Sequence, residues 1–132
     1  MPKRKVIHPE WPWNDRIGIA HAVRVGDTVY ISGQVALDPE GMVVGKGDLY
    51  LQSKQVFANI GYLLDEVGAR LSDIVKLTAF LVDFDQFDGY ATARRETFGN
   101  PPYSFAATGV GVTRLIHPDL LIEVEAVAVV GS

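Results

Sequence analysis

The segment that most limits the fold runs from Leu120 to Val130, because its side chains are substantially apolar on both sides of an extended chain. Strand geometry alternates side chains between faces, so Leu120, Ile122, Val124, Ala126, Ala128 and Val130 share one side, and Leu121, Glu123, Glu125, Val127 and Val129 the other. Such a strand needs cover on both faces. If helices cover only one, the second is best hidden against another copy of the chain, because a monomer seldom exposes an apolar patch larger than a few hundred Å². Patterning therefore calls for oligomerisation and leaves the number of subunits open.

The remaining elements say what could cover the first face. Residues 1–20 carry Pro2, Pro9, Pro12, Trp11 and Trp13 with no sustained period, which predicts an irregular arm whose tryptophans pack onto the body. From Ala22 to Gly33 two β-rich runs meet at Gly26-Asp27, the signature of a hairpin. Asp38-Pro39-Glu40-Gly41 is a turn signal, and glycines at 41, 45 and 47 make the next segment a loop. Asp48 can cap a helix in which Leu51, Phe57, Ile60, Leu64 and Val67 recur near the helical period, with Gly68 as its stop. Residues 74–82 are rich in β-branched side chains and predict a strand with Val75, Leu77, Ala79 and Leu81 on one side. Asp83 or Asp85 can cap a second helix carrying Phe87, Tyr90, Arg94 and Phe98, ending near Gly99-Asn100-Pro101-Pro102. Strands over 105–114 and 120–130 complete the order β-β-α-β-α-β-β. This predicts an α+β domain over residues 1–132, one mixed sheet with both helices on one face.

Composition narrows the chemistry. The chain has no cysteine, which excludes disulfides, thiolate metal sites and cysteine nucleophiles, and His8, His21 and His117 form no close ligand pair in sequence. No metal is expected. The formal charge of −4 gives no global basic footprint for nucleic acid, and Lys3-Arg4-Lys5 is read as a solvated end rather than a binding arm. No apolar run approaches the ~20 residues needed to cross a bilayer, and the first ten residues lack the apolar core of a signal peptide, so the expected compartment is the cytoplasm.

Three segments, Val29-Tyr-Ile-Ser-Gly-Gln34, Ile74-Val-Lys-Leu-Thr-Ala-Phe-Leu-Val-Asp83 with Phe87 after it, and Ile122-Glu-Val-Glu-Ala-Val-Ala128, stand in an order and spacing that resemble the Rid (YjgF-type, reactive-intermediate deaminase) family. With Gln55 and Asn59 of the first helix, the resemblance spans about residues 18 to 130. It implies a chorismate-mutase-like fold and a homotrimer with a small-molecule cleft between each pair of subunits. It also implies hydrolysis of small enamines and imines to a ketoacid and ammonia, with no cofactor. In active members an arginine of a Pro-Ala-Arg motif grips the substrate carboxylate through its planar fork, and a glutamate of the last strand positions water.

On this resemblance Ser32 and Gly33 fall at the cleft, the alternative being that they merely end an edge strand. Glu123 falls on the water-positioning glutamate. Its alternative is a solvated or salt-bridged stripe with Glu125, against which Leu121, Val127 and Val129 argue for partial burial and a raised pKa. The departures carry more weight. Aligning residues 105–112 with the Pro-Ala-Arg segment puts Ala107 at the arginine and Phe105 at the proline, and no arginine lies between Glu96 and Thr113. The tyrosine and asparagine that the family sets around its cleft fall at Ile19 and Ala91. Replacing a desolvated bidentate carboxylate contact by a methyl group costs roughly 2–5 kcal/mol. Amino-acid-derived imines are then poor expected substrates.

His21, near the cleft entrance by alignment, could bind ligand or move a proton, or could make ordinary hydrogen bonds. His117 and Arg114 flank the last turn, and Arg114 either pairs with an acidic neighbour or faces the cleft. Trp11, Trp13 and Phe105 are read as core or interface, and Arg94-Arg95 as a solvated corner. Three functions compete: a divergent hydrolase acting on a small imine, enamine or related molecule, a trimeric module that binds a small ligand or protein without catalysis, and the ribonuclease activity attributed to some relatives. Net acidity places the last lowest.

Overall fold

The two-sided strand lies inside the sheet. In the computed structural model, which describes residues 3–132, six strands pair in the order β1-β2-β3-β6-β4-β5. They are β1 (Arg4–Ile7), β2 (Ala22–Val25), β3 (Thr28–Val35), β4 (Ile74–Leu81), β5 (Ala106–Gly111) and β6 (Ile122–Val129), with helices α1 (Leu49–Glu66) and α2 (Phe87–Phe98). β6 runs antiparallel to both β3 and β4, and β5 runs parallel to β4. The connections β3-α1-β4 and β4-α2-β5 therefore join parallel strands and cross the sheet in the same direction. Crossovers of one hand place both helices on one face. The α+β architecture read from the sequence stands.

Burial follows the alternation. Leu120, Ile122, Val124, Ala126 and Ala128 are buried beneath the helices, while Leu121, Glu123, Val127 and Val129 are half-buried and Glu125 is exposed on the open face. Helix α1 begins where expected, with the Asp48 carboxylate accepting from the Leu51 N–H at 3.0 Å. Its buried Leu49, Val56, Phe57, Ile60, Leu63 and Leu64 contribute about 1.5–3 kcal/mol each, against a few tenths for a surface pair such as Lys54–Glu96. The apolar face, not the charges, decides where α1 lies. Between β2 and β3 the chain turns at Gly26, whose φ of +60° suits a residue without Cβ.

Several expectations are corrected. Among the described residues, the segment up to Ala20 is not an irregular arm throughout: Arg4–Ile7 pairs with β2 as an edge strand and Pro12–Arg16 forms a 3-10 turn, while Pro2 lies outside the described residues. Backbone pairing to a neighbouring strand gave no periodic signal in so short a run. Leu51 is 46% exposed, because it stands on the far side of α1 from the buried stripe set by Leu49, Val56 and Leu63, about 200° around from Leu49. In β4 a register shift between Ile74 and Lys76 buries Ile74 in place of Val75. Neither Asp83 nor Asp85 caps α2. Its N-cap is Gln86, whose side chain instead accepts from the Leu49 N–H at 3.0 Å and donates to the Gly47 carbonyl at 3.1 Å, tying the two helix starts together.

Candidate functional site

The irregularity in β3 builds one half of the site. Pairing with β6 shifts between Ile31 and Gln34, so Ser32 and Gly33 bulge out of the ladder. The bulge is pinned from both sides. The Ser32 N–H donates to the His21 carbonyl at 3.0 Å and its hydroxyl to the Ala20 carbonyl at 2.8 Å. Beyond it, Asn59 of α1 donates to the Val35 and Leu37 carbonyls at 3.1 and 3.0 Å, and is itself held by Gln55. The two polar helix residues of the sequence motif thus hold the backbone that leaves the bulge.

Glu123 lies on the open face of β6 with its carboxylate directly over Gly33: a Cβ built there would stand 2.7 Å from the Glu123 Cδ and overlap Oε2. Only glycine admits that carboxylate. Burial, and secondarily repulsion from Glu125, pushes the Glu123 pKa above the usual glutamate range. Around it a cleft of about 180 Å³ is walled by Trp13, Ile19, His21, Gly33, Ile116 and Glu123 among others.

Behind the cleft stands a polar network that no local pattern announces. His21 is 3% exposed and lies edge-on to both Trp11 and Trp13, at 5.4 and 5.3 Å between centroids, while the two indoles stack on each other. The Gln34 Nε2 donates to the Ser32 carbonyl at 3.0 Å, which identifies it as the amide nitrogen, and it also donates to His21 Nδ1 at 3.0 Å. His21 therefore carries its proton on Nε2, and donates it to the Oδ1 of buried Asn14 at 2.6 Å. Burial lowers the His21 pKa in spite of the Gln34 contact, so the ring is neutral at pH 7 and both nitrogens are engaged inside the chain.

The other candidate position, Ala107, lies at the opposite edge of the sheet. Ala107 is in register with Leu77 and Ala126, both buried under the helices, whereas Glu123 is in register with Phe80 on the other face. Within one chain the two cannot meet. Ala107 borders a separate cavity of about 150 Å³ between β5 and α2, with Phe87, Tyr90, Arg94, Thr108 and Gly109. Arg94 is not on a solvated corner: it is half-buried, its guanidinium 5.2 Å from the Tyr90 ring centroid and 5.1 Å from that of Tyr103. Tyr90 and Arg94, four apart on one helix face, were the available sequence signal.

The remaining candidates scatter. Phe105 packs between Phe98 and Tyr103, each 5.0 Å away. Ala91 is half-buried on α2, Arg114 is exposed after β5, and His117 is exposed and accepts from the Asp119 N–H within its own turn. Among the described residues no three His, Asp or Glu side chains gather as a metal ion would require, and no helix is long and apolar enough to cross a membrane.

This architecture has known counterparts. A family model described as Endoribonuclease L-PSP matches residues 17–130. A RutC family protein of Pyrococcus abyssi is 39% identical over 109 residues, 83% of this chain and 84% of its own. A Dermatophagoides farinae protein named 2-iminobutanoate/2-iminopropanoate deaminase is 32% identical over 131 residues, 98% of each chain. The crystal structure of a YjgF/YER057c/UK114 family member from Mycobacterium tuberculosis superposes with a TM-score of 0.83 at 26% identity, over 97% of this chain and 100% of that one. The chain belongs to the Endoribonuclease L-PSP family, also known as the YjgF/RutC/Rid family.

Proposed function

We propose that this chain hydrolyses a small imine or enamine in a cleft completed between subunits of a homotrimer, with Glu123 handling water. The observation that carries the reading is the Glu123 carboxylate lodged over the Gly33 bulge, in an apolar-walled cleft on the face opposite Ala107. A site that uses both halves needs two copies of the chain, since one chain holds them on opposite sides of its sheet. The half-buried Val127 and Val129 and the exposed Tyr30 on that open face suit contact with another copy.

The reaction follows from the half-site. A water hydrogen-bonded to Glu123 attacks the iminium carbon; the new C–O bond forms as the C=N π pair moves to nitrogen, and the water proton passes to the carboxylate. Glu123 returns that proton to nitrogen, the C–N bond breaks as the hydroxyl oxygen forms the carbonyl, and the hydroxyl proton leaves with the ammonia as ammonium. A carboxyl group with a raised pKa is better matched to taking and returning one proton near neutrality than an ordinary glutamate. His21, neutral and engaged at both nitrogens, positions the bulge and does not exchange protons.

No cation stands at position 107, so an amino-acid-derived imine of the kind a strand arginine serves would need its carboxylate met from elsewhere in the cleft. The test generates carboxylate-bearing and neutral imines in situ and follows carbonyl release. Acceleration of at least one, lost in Glu123→Gln, supports the reading. No acceleration of any imine by a well-folded protein would leave the second reading, a binding module without catalysis, which the methyl group at Ala107 favours.

A further inference from the structure

Arg94 is the cation of the cavity beside β5, and it has no anion. The ion pairs among the described residues engage Arg24, Lys46 and Lys54, and none involves Arg94. Its Nε is buried without a hydrogen-bond partner, and so is the hydroxyl of Tyr103, whose ring covers the guanidinium. A buried donor on a charged group is costly to leave unpaired, so most such groups in folded proteins have a partner. The flanking rings of Tyr90 and Tyr103 restrict the guanidinium plane while leaving its charge uncompensated. Directly across the cavity stand Ala107, Thr108 and Gly109, small residues of an edge strand whose outer backbone has no neighbouring strand in the chain.

We propose that Arg94 binds the acidic group of the ligand, gripping a small carboxylate from α2 where β5 offers only the methyl of Ala107. The proposal deepens the hydrolase reading and rests on the same intersubunit cleft: the substrate becomes a carboxylate-bearing imine whose acid docks against the helix. A fixed planar fork suits a carboxylate, and the rings on its flanks hold it in place before the ligand arrives. Arg94 then restores the clamp whose absence from β5 disfavoured such substrates.

Calorimetric titration with 2-ketobutyrate, a carboxylate of the product class, and with 2-butanone, its neutral counterpart, tests the assignment. The wild-type protein should bind 2-ketobutyrate, and Arg94→Gln should weaken it about thirtyfold or more. Arg94→Lys should recover part of the loss, and 2-butanone should respond to neither change. Adding Ala107→Arg to Arg94→Gln should restore carboxylate binding from the strand side. Thermal melts and sedimentation of each variant separate a lost contact from a lost fold. Absence of 2-ketobutyrate binding in the wild type, or equal affinity in a folded Arg94→Gln protein, overturns the proposal. Glu123→Gln keeps the two readings apart: retained binding without hydrolysis supports both, while retained hydrolysis removes the role given to Glu123 and leaves Arg94 standing.

Discussion

The half-site around Gly33 and the half-site around Ala107 differ in how far one chain completes them. At Gly33 each polar group behind the cleft has its partner: Ser32 to Ala20, Gln34 to Ser32 and His21, His21 to Asn14. At Ala107 the strand is small and exposed, and the nearby Arg94 and Tyr103 each leave a buried donor unanswered. Around Gly33 the polar groups are satisfied about one carboxylate, whereas beside Ala107 a guanidinium and a hydroxyl lack partners. A hydrolase of the proposed kind would keep its water-handling half and vary the half that meets the rest of the ligand. The contrast is what substitutions should break.

The largest effect belongs to Glu123→Gln. Loss of a positioned acid–base group should lower hydrolysis by about 10²–10⁴-fold, with ligand binding retained. The folded-state pKa of Glu123 is raised, so its contribution to stability is present below the unfolded value and lost as pH rises through the folded one. Glutamine removes that loss. At neutral pH the variant should be inactive yet at least as stable in urea melts, and the rise of activity with pH in the wild type should fall above the usual glutamate range. A destabilised variant would place Glu123 among the structural groups.

Next in size is assembly. Val127→Asp places an unpaired charge on the open face, which costs several kcal/mol, roughly 3–5, if that face is buried between copies. Sedimentation at micromolar concentration should show a trimer for the wild type and smaller species for the variant. An unchanged trimer would mean that another surface joins the copies. Activity should fall with assembly, because the Ala107 half then comes from no neighbour.

Gly33→Ala tests the close approach itself. The added methyl occupies the space of the Glu123 carboxylate, and a displacement of about 1 Å costs on the order of a hundredfold in rate. The variant should remain folded, since the carboxylate can swing toward solvent. Full activity in it would remove the central geometric support for Glu123.

The two halves were also unequally legible. Glu123 stood in a strand of strong period, and Ser32 and Gly33 in a motif placed by its resemblance to the family, so their neighbourhood was legible in the sequence, though the bulge was not. The Asn14–His21–Gln34 network could not be read there, because it joins a 3-10 turn to two strands through contacts that no local pattern encodes. Arg94 was misread for a related reason: its charge suggested solvent, and although Tyr90 lies one turn away on its own helix, the enclosure is completed by Tyr103, arriving from the loop before β5. Likewise β1 exists because β2 offers an open edge, which a short run of Arg4–Ile7 does not announce.

The smallest effect should come from the network behind the Gly33 half. Asn14→Ala removes the acceptor of the His21 Nε2–H and leaves a buried donor unpaired, at about 1–3 kcal/mol. The same network predicts an acid limb. Burial depresses the folded pKa of His21 below the usual value near 6.5, so its stabilising contribution is full above that value and is lost as pH falls through the folded pKa. Urea melts at pH 7.5 and pH 5.5 should therefore show a drop in wild-type stability. His21→Gln, which does not titrate, should be weaker at pH 7.5 but should lose less between the two conditions. If His21→Gln and wild type lose stability equally, His21 is not a source of the acid sensitivity, and the polar network holds the Ser32–Gly33 bulge without governing its response to pH.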